Sequence, residues 1–173
     1  NYSYQLMKLT NKRSYFNFLI GKKILFKNLS TNLLGEHNVQ NLTAVLSIIN
    51  DLGYKIKKSH ILSFRGTKRR MNILGKLKKT IFIDDYAHHP TEIEKLINVI
   101  SLYKKKNVCL IIEPHRYSRL NDLYAEYLSV LKNVKNLIIL KTYEAGESYK
   151  KGMKNSKNLV NDLNVLYLSL IHI

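Results

Sequence analysis

The chain has 173 residues, 45% of them apolar, and its 29 Lys or Arg against 12 Asp or Glu give a formal charge of +17. That length allows one good core or two small ones, and no apolar run approaches the roughly 20 residues of a membrane-spanning helix. The charge invites a nucleic-acid or membrane partner, but nearly all the basic residues are Lys, scattered among abundant Asn, Ile and Tyr. A- and T-rich codons produce that mixture with no functional demand, so no nucleic acid and no membrane is expected as a partner.

Arg carries more information than Lys here. Only six residues are Arg, and Arg65, Arg69, Arg70, Arg116 and Arg119 fall in two short stretches. Such stretches suit planar, bidentate contacts to anions. The single Cys109 sits in the apolar run Val108 to Ile112 and is expected to be a buried, inert thiol, with neither a disulfide framework nor a C-x-x-C site.

Residues 1 to 30 alternate short β-prone pieces, Tyr2 to Leu9, Tyr15 to Ile20 and Lys23 to Phe26, separated by turns at Asn11-Lys12 and Gly21-Lys22. Two or three antiparallel strands are predicted. In Gly35-Glu36-His37-Asn38-Val39-Gln40-Asn41-Leu42, Asn38 is the expected N-cap of a helix carrying Val39, Leu42, Val45, Leu46 and Ile49 and ended by Gly53. Asn38 and Asn41 lie on similar sides of its first turn. A carboxamide suits the edge of an adenine ring, although pattern alone favours a cap and a solvated position. Ser59 is expected to cap a short helix with Ile61, Leu62 and Phe64. The basic stretch Arg65-Gly66-Thr67-Lys68-Arg69-Arg70 follows, either a linker or a cationic hinge facing phosphates, with a domain boundary near residues 66 to 72.

Chemistry concentrates next. Thr80-Ile81-Phe82-Ile83 reads as a short buried strand, and Ile93, Leu96, Ile97 and Ile100 follow helical spacing. Between them lies Asp84-Asp85-Tyr86-Ala87-His88-His89-Pro90-Thr91-Glu92. Pro90 fits the first helical position, and Glu92 favours the positive helix N-terminus. In an open α/β sheet such a strand-to-helix turn is where ligands bind. Asp84, Asp85, His88, His89 and His115 also raise a hydrolytic metal centre, but adjacent histidines diverge and no ligand spacing supports one. Tyr86 is read as packing rather than reacting.

The alternation continues with a strand at Asn107 to Ile112 and the exit loop Glu113-Pro114-His115-Arg116-Tyr117-Ser118-Arg119. Arg116 and Arg119 look like an anion clamp. A helix is predicted with Leu120, Leu123, Tyr124, Tyr127, Leu128 and Leu131 on one side, then a strand at Leu137 to Leu140, then the loop Tyr143-Glu144-Ala145-Gly146-Glu147. The fold class is therefore α/β with a mostly parallel sheet built from βαβ units, its exit loops gathered along one edge. No G-x-x-x-x-G-K-[ST] occurs, so a nucleotide's phosphate cradle is missing from this chain. The chain begins without Met and is expected to be a fragment. Residues 168–173 match one reading frame of a transposase adapter and are expected to be an adapter-derived tail.

The motifs at 35–41, 64–70, 84–92, 114–119 and 143–147, in that order, resemble the Mur ligases, and among them the alanine-adding branch. The resemblance implies that 1–66 is the end of a central ATP-binding domain and 67–167 an incomplete Rossmann-like C-terminal domain, with Gly66 to Arg70 as hinge. It also implies a cytoplasmic enzyme that uses ATP and Mg2+ to join L-alanine to UDP-N-acetylmuramate through an acyl phosphate, in peptidoglycan precursor synthesis. The Mg2+ ligands would lie mostly outside this chain, which alone should be inert. By the same resemblance Asn38 and Asn41 belong at the adenine, and Arg69, Arg70, Asp84, Asp85 and Tyr86 with the nucleotide. His88, His89, His115, Arg116 and Arg119 then face the reaction centre, orienting the alanine carboxylate and the acyl phosphate. Glu113 and Leu120 depart from the family pattern and read as peripheral. Two alternatives stand beside this: a murein-tripeptide recycling ligase, which differs at 114–119, and a basic nucleic-acid-binding module.

Overall fold

A computed structural model describes residues 1–104 and 107–168. Two compact units emerge, one from residues 1–86 and 95–104, the other from 87–94 and the described part of 105–173. Helix α3 (Pro90–Ser101) contributes its first turn to the second unit and the rest to the first.

The first unit opens with an antiparallel sheet of β1 (Tyr2–Leu9), β2 (Ser14–Ile20) and β3 (Lys23–Thr31), with β2 in the middle. Helix α1 (Glu36–Asp51) and the short α2 (Lys58–Ser63) follow. Phe16, Phe18 and Leu29 from the sheet, Val39 and Leu46 from α1, and Ile61 from α2 form the core. Burying such side chains stabilises by about 1.5–3 kcal/mol each. The buried amide of Asn17 is satisfied: it donates to Gln5 Oε1 (2.9 Å) and accepts from Asn28 N (2.8 Å).

Three expectations change here. Helix α1 starts at Glu36, two residues before Asn38, and its N-cap is Gly35, whose φ of +91° is open to glycine and strained for other residues. Asn38 lies in the first turn and donates to Leu34 O (2.7 Å). Helix α2 starts on Lys57 rather than Ser59. The run Thr80 to Ile83 does form a strand, β5 (Thr80–Asp84), but it is not buried. It pairs antiparallel with β4 (Asn72–Leu77), and these two form a sheet of their own. Phe82 faces Gly75 across the pair, has no cross-strand side chain to cover it, and stays 50% exposed.

The second unit holds a parallel sheet in the order β6 (Cys109–Ile112), β7 (Asn136–Leu140), β8 (Leu166–Leu168). Helices α4 (Tyr117–Asp122) and α5 (Tyr124–Leu131) connect β6 to β7, and α6 (Ser156–Leu163) connects β7 to β8. These are the expected βαβ units, although the single helix foreseen after residue 117 breaks at Leu123. Ile112, Leu120, Tyr127, Leu131, Leu137, Ile139 and Leu159 are buried. Cys109 is exposed, not buried. It opens an edge strand and shares the face of Ile111, itself 58% exposed, while Ile112 takes the buried face. Leu168 pairs with Leu140 at the end of β8; the rest of the tail expected at 168–173 lies outside the described residues. No helix among the described residues is long and apolar enough to cross a membrane.

Candidate functional site

The twelve candidate residues divide between the units. Asn38, Asn41, Arg69, Arg70, Asp84, Asp85 and Tyr86 lie in the first; His88, His89, His115, Arg116 and Arg119 lie in the second.

In the first unit, the chain entering β4 folds against the chain leaving β5. Tyr86 N donates to Arg69 O (2.8 Å), and Met71 N donates to Asp85 Oδ2 (2.8 Å). The Arg69 guanidinium lies 4.9 Å from the centre of the Tyr86 ring, and its Nε is 3.8 Å from Asp84 Oδ2. Arg69 and Met71 both have positive φ, 59° and 49°. Non-glycine residues in that region cost roughly 1–3 kcal/mol each and persist where surrounding bonds hold them. Tyr86 does pack, as read from sequence, but against a cation. The α1 N-terminus meets the same group of charges: burial pushes the His37 imidazole below its ordinary pKa, Asp85 pulls it up, and Lys95 and Arg70 push it further down. Asn38 spends one amide hydrogen on Leu34 O, and Asn41 is exposed. A small pocket of about 130 Å³ lies beside this helix start, lined by Gly35, His37, Gln40, Lys95, Asn98 and neighbours.

In the second unit, three chain exits converge. The His88 and His115 rings stack with centroids 4.6 Å apart, and the Tyr143 ring lies 5.1 Å from His115. Backbone bonds fix this meeting: Arg116 N donates to Tyr143 O and Tyr143 N to Pro114 O, both at 2.8 Å. Tyr127, buried on α5, donates its hydroxyl to His88 O. His89 caps α3, its Nδ1 accepting from Thr91 N (3.2 Å) while Glu92 Oε2 accepts from His89 N (3.3 Å) and His88 N (3.2 Å). This is a capping box with an imidazole in the place of the usual hydroxyl. The two adjacent histidines thus do different work, one stacking and one capping.

His115 has a lowered pKa, chiefly from burial and then from the neighbouring His88, with Glu113 pulling the other way. Glu113, read from sequence as peripheral, has Oε2 only 3.4 Å from His115 Nε2. Arg116 has a φ of +70° and is half exposed; its Nε donates to Glu147 Oε1 (2.7 Å). Glu147 also accepts from Ser118 Oγ (2.6 Å) and Ser118 N (2.9 Å). These hydrogen bonds and the Arg116 charge bring its carboxyl down to about 2. Arg119, in α4, lies near enough for its charge to lower the pKa of both His115 and Tyr127. Sequence reasoning gave no role to Glu147, Tyr143 or Tyr127; the two Glu of the 143–147 loop were the one available signal. No three His, Cys, Asp or Glu side chains among the described residues converge on a metal position.

A family profile described as "Mur ligase, glutamate ligase domain" matches residues 69–168. The chain belongs to the Mur ligase family. It is similar to the UDP-N-acetylmuramate–L-alanine ligase of Pelagibacter ubique, with 40% identity over 149 residues that cover 84% of this chain and 32% of that protein. The ligase of the same name from Carboxydothermus hydrogenoformans is 36% identical over 128 residues, 73% of this chain and 28% of the relative. The crystal structure of UDP-N-acetylmuramate–alanine ligase from Thermotoga maritima shares the fold, with a TM-score of 0.74 at 21% identity over 98% of this chain and 40% of that one. This Mur ligase chain therefore spans about a third of the length of the curated relatives it matches.

Proposed function

We propose that this chain serves the ATP-dependent joining of L-alanine to the carboxylate of UDP-N-acetylmuramate, a cytoplasmic step of peptidoglycan precursor synthesis. Residues 1–66 would be the end of the central ATP-binding domain and 67–167 part of the C-terminal domain. The observation that carries the reading is the meeting of His88, His115 and Tyr143 at a chain exit whose next residue, the half-exposed Arg116, is tied by its backbone N–H to Tyr143 O. An amino acid needs a cation for its carboxylate and neutral polar groups near its amine. Arg116 and Arg119 supply the first. His115, held neutral by burial, supplies the second, since the ammonium must lose a proton before it can attack.

The sequence of events follows from the substrates. Phosphorylation of the sugar carboxylate gives an acyl phosphate, the neutral amine adds to its carbonyl carbon, and the tetrahedral adduct expels phosphate. Cationic and imidazole groups that stabilise the negative oxygens lower that barrier. In the first unit, Asn38 and Asn41 suit the adenine edge, and Arg69, Arg70, Asp84, Asp85 and Tyr86 the ribose and phosphates. Mg2+, implied by the family, would take its ligands mostly from outside these residues, among which no three described His, Cys, Asp or Glu side chains converge. With no phosphate-binding loop in the chain, we expect these residues alone to be inactive.

The test is phosphate release by the complete ligase that contains these residues. Turnover is expected with ATP, UDP-N-acetylmuramate and L-alanine together and with none of them left out. Turnover with L-alanyl-γ-D-glutamyl-diaminopimelate in place of L-alanine would move the chain to the recycling branch.

A further inference from the structure

The anion site of the second unit contains a carboxylate that a receptor for a carboxylate would not be expected to hold. Glu147 stands within hydrogen-bond reach of Arg116, the residue that is to bind the anion. Its contacts give it a different task. One oxygen accepts from Arg116 Nε (2.7 Å) and Ser118 Oγ (2.6 Å), and the other accepts from Ser118 N (2.9 Å). All three donors come from one short segment, so Glu147 is fixed to the chain that carries Arg116. The backbone of Arg116 is fixed as well, at a φ of +70°, by its N–H on Tyr143 O.

A guanidinium can take a carboxylate side-on through Nε and one Nη, or end-on through both Nη groups. With Nε occupied by Glu147, the end-on edge remains, and among the described residues no acceptor meets either Nη. The side chain is 50% exposed. We propose that Glu147 is a positioning residue: by holding Arg116 at Nε, it presents the two Nη groups end-on to the carboxylate of the incoming amino acid. This rests on the reading that Arg116 binds that carboxylate. The competing explanation is that Glu147 only caps α4 through Ser118.

Both are tested in the complete ligase by KM for L-alanine, KM for ATP and the thermal midpoint. Glu147→Gln is expected to raise the alanine KM about tenfold, as for loss of one charge-assisted hydrogen bond, with the ATP KM unchanged. Arg116→Ala is expected to raise it further, and the double variant to match Arg116→Ala alone, because Glu147 acts through that residue. An alanine KM that stays at the wild-type value in Glu147→Gln while Arg116→Ala raises it overturns the positioning role and spares the reading of Arg116. The same holds if the two effects simply add. A wild-type alanine KM in Arg116→Ala removes both. If Glu147→Gln does not fold, Arg116→Lys carries the test. It keeps the charge but has no Nε to hold, so its alanine KM should approach that of Arg116→Ala, and a wild-type value overturns the role.

Discussion

The imidazoles of His88 and His115 lie face to face, 4.6 Å between centroids and 15° between planes. Each also has a carboxylate of its own: Glu92 Oε2 is 3.8 Å from His88 Nδ1, and Glu113 Oε2 is 3.4 Å from His115 Nε2. Two stacked imidazoles resist a second positive charge, and burial opposes even the first at His115. Burial and the neighbouring imidazole thus both favour the neutral form of His115, the form the proposed proton acceptor needs.

A pH dependence of stability follows. His115 and His37 both fall below 6.5 in the folded chain, burial leading in each case. The unfolded chain therefore binds protons first as pH falls, so stability is full above 6.5 and is lost as pH drops through the folded values. Glu147 adds a later loss, from 4.5 down to about 2. Thermal midpoints measured from pH 7.5 to 5.5 should decline, and decline less steeply in His115→Gln. A flat profile in the parent chain would contradict the assignment.

Gly35→Ala should be among the most damaging small changes. An added Cβ would lie 2.6 Å from Val99 Cγ2 and 2.8 Å from His37 Cε1, at a φ of +91°. Strain and overpacking together should cost about 2 kcal/mol or more. Gly75→Ala, with nothing within 4 Å of the new atom, is the control and should lie within about 0.5 kcal/mol of the parent. Urea unfolding of the two variants measures the contrast.

Tyr127→Phe removes the hydroxyl that satisfies the His88 carbonyl while leaving the buried ring in place. Losing that hydrogen bond should cost about 1 kcal/mol. Burial pushes the phenol up to about 12, so the loss should be the same at pH 6 and pH 9. Equal stability of variant and parent would mean that the hydroxyl does not hold the histidine turn.

What was legible in the sequence was local. Pro90 and Glu92 marked the start of α3, and the β-prone pieces before residue 30 marked the first sheet, because each signal acts within a few residues. The misreadings arise where distant or competing groups decide. Thr80 to Ile83 looks like core, but burial depends on what lies opposite, and Phe82 meets Gly75. Asn38 is a better cap than Gly35 by propensity, yet only glycine has room between Val99 and His37. Cys109 lies in an apolar run, but strand alternation turns it outward. In the site, His88 and His115 were recognisable because they sit at chain exits. Glu147 was not, since its bond to Arg116 spans 31 residues.

A division of labour, with the nucleotide served by the first unit and the amino acid by the second, is tested most directly by a crossed pair of variants in the complete ligase. We predict that Arg69→Ala raises the KM for ATP about tenfold and leaves that for L-alanine unchanged, and that Arg116→Ala does the reverse. Arg69→Ala acting on alanine, or Arg116→Ala acting on ATP, to the same extent as on its own substrate would contradict it.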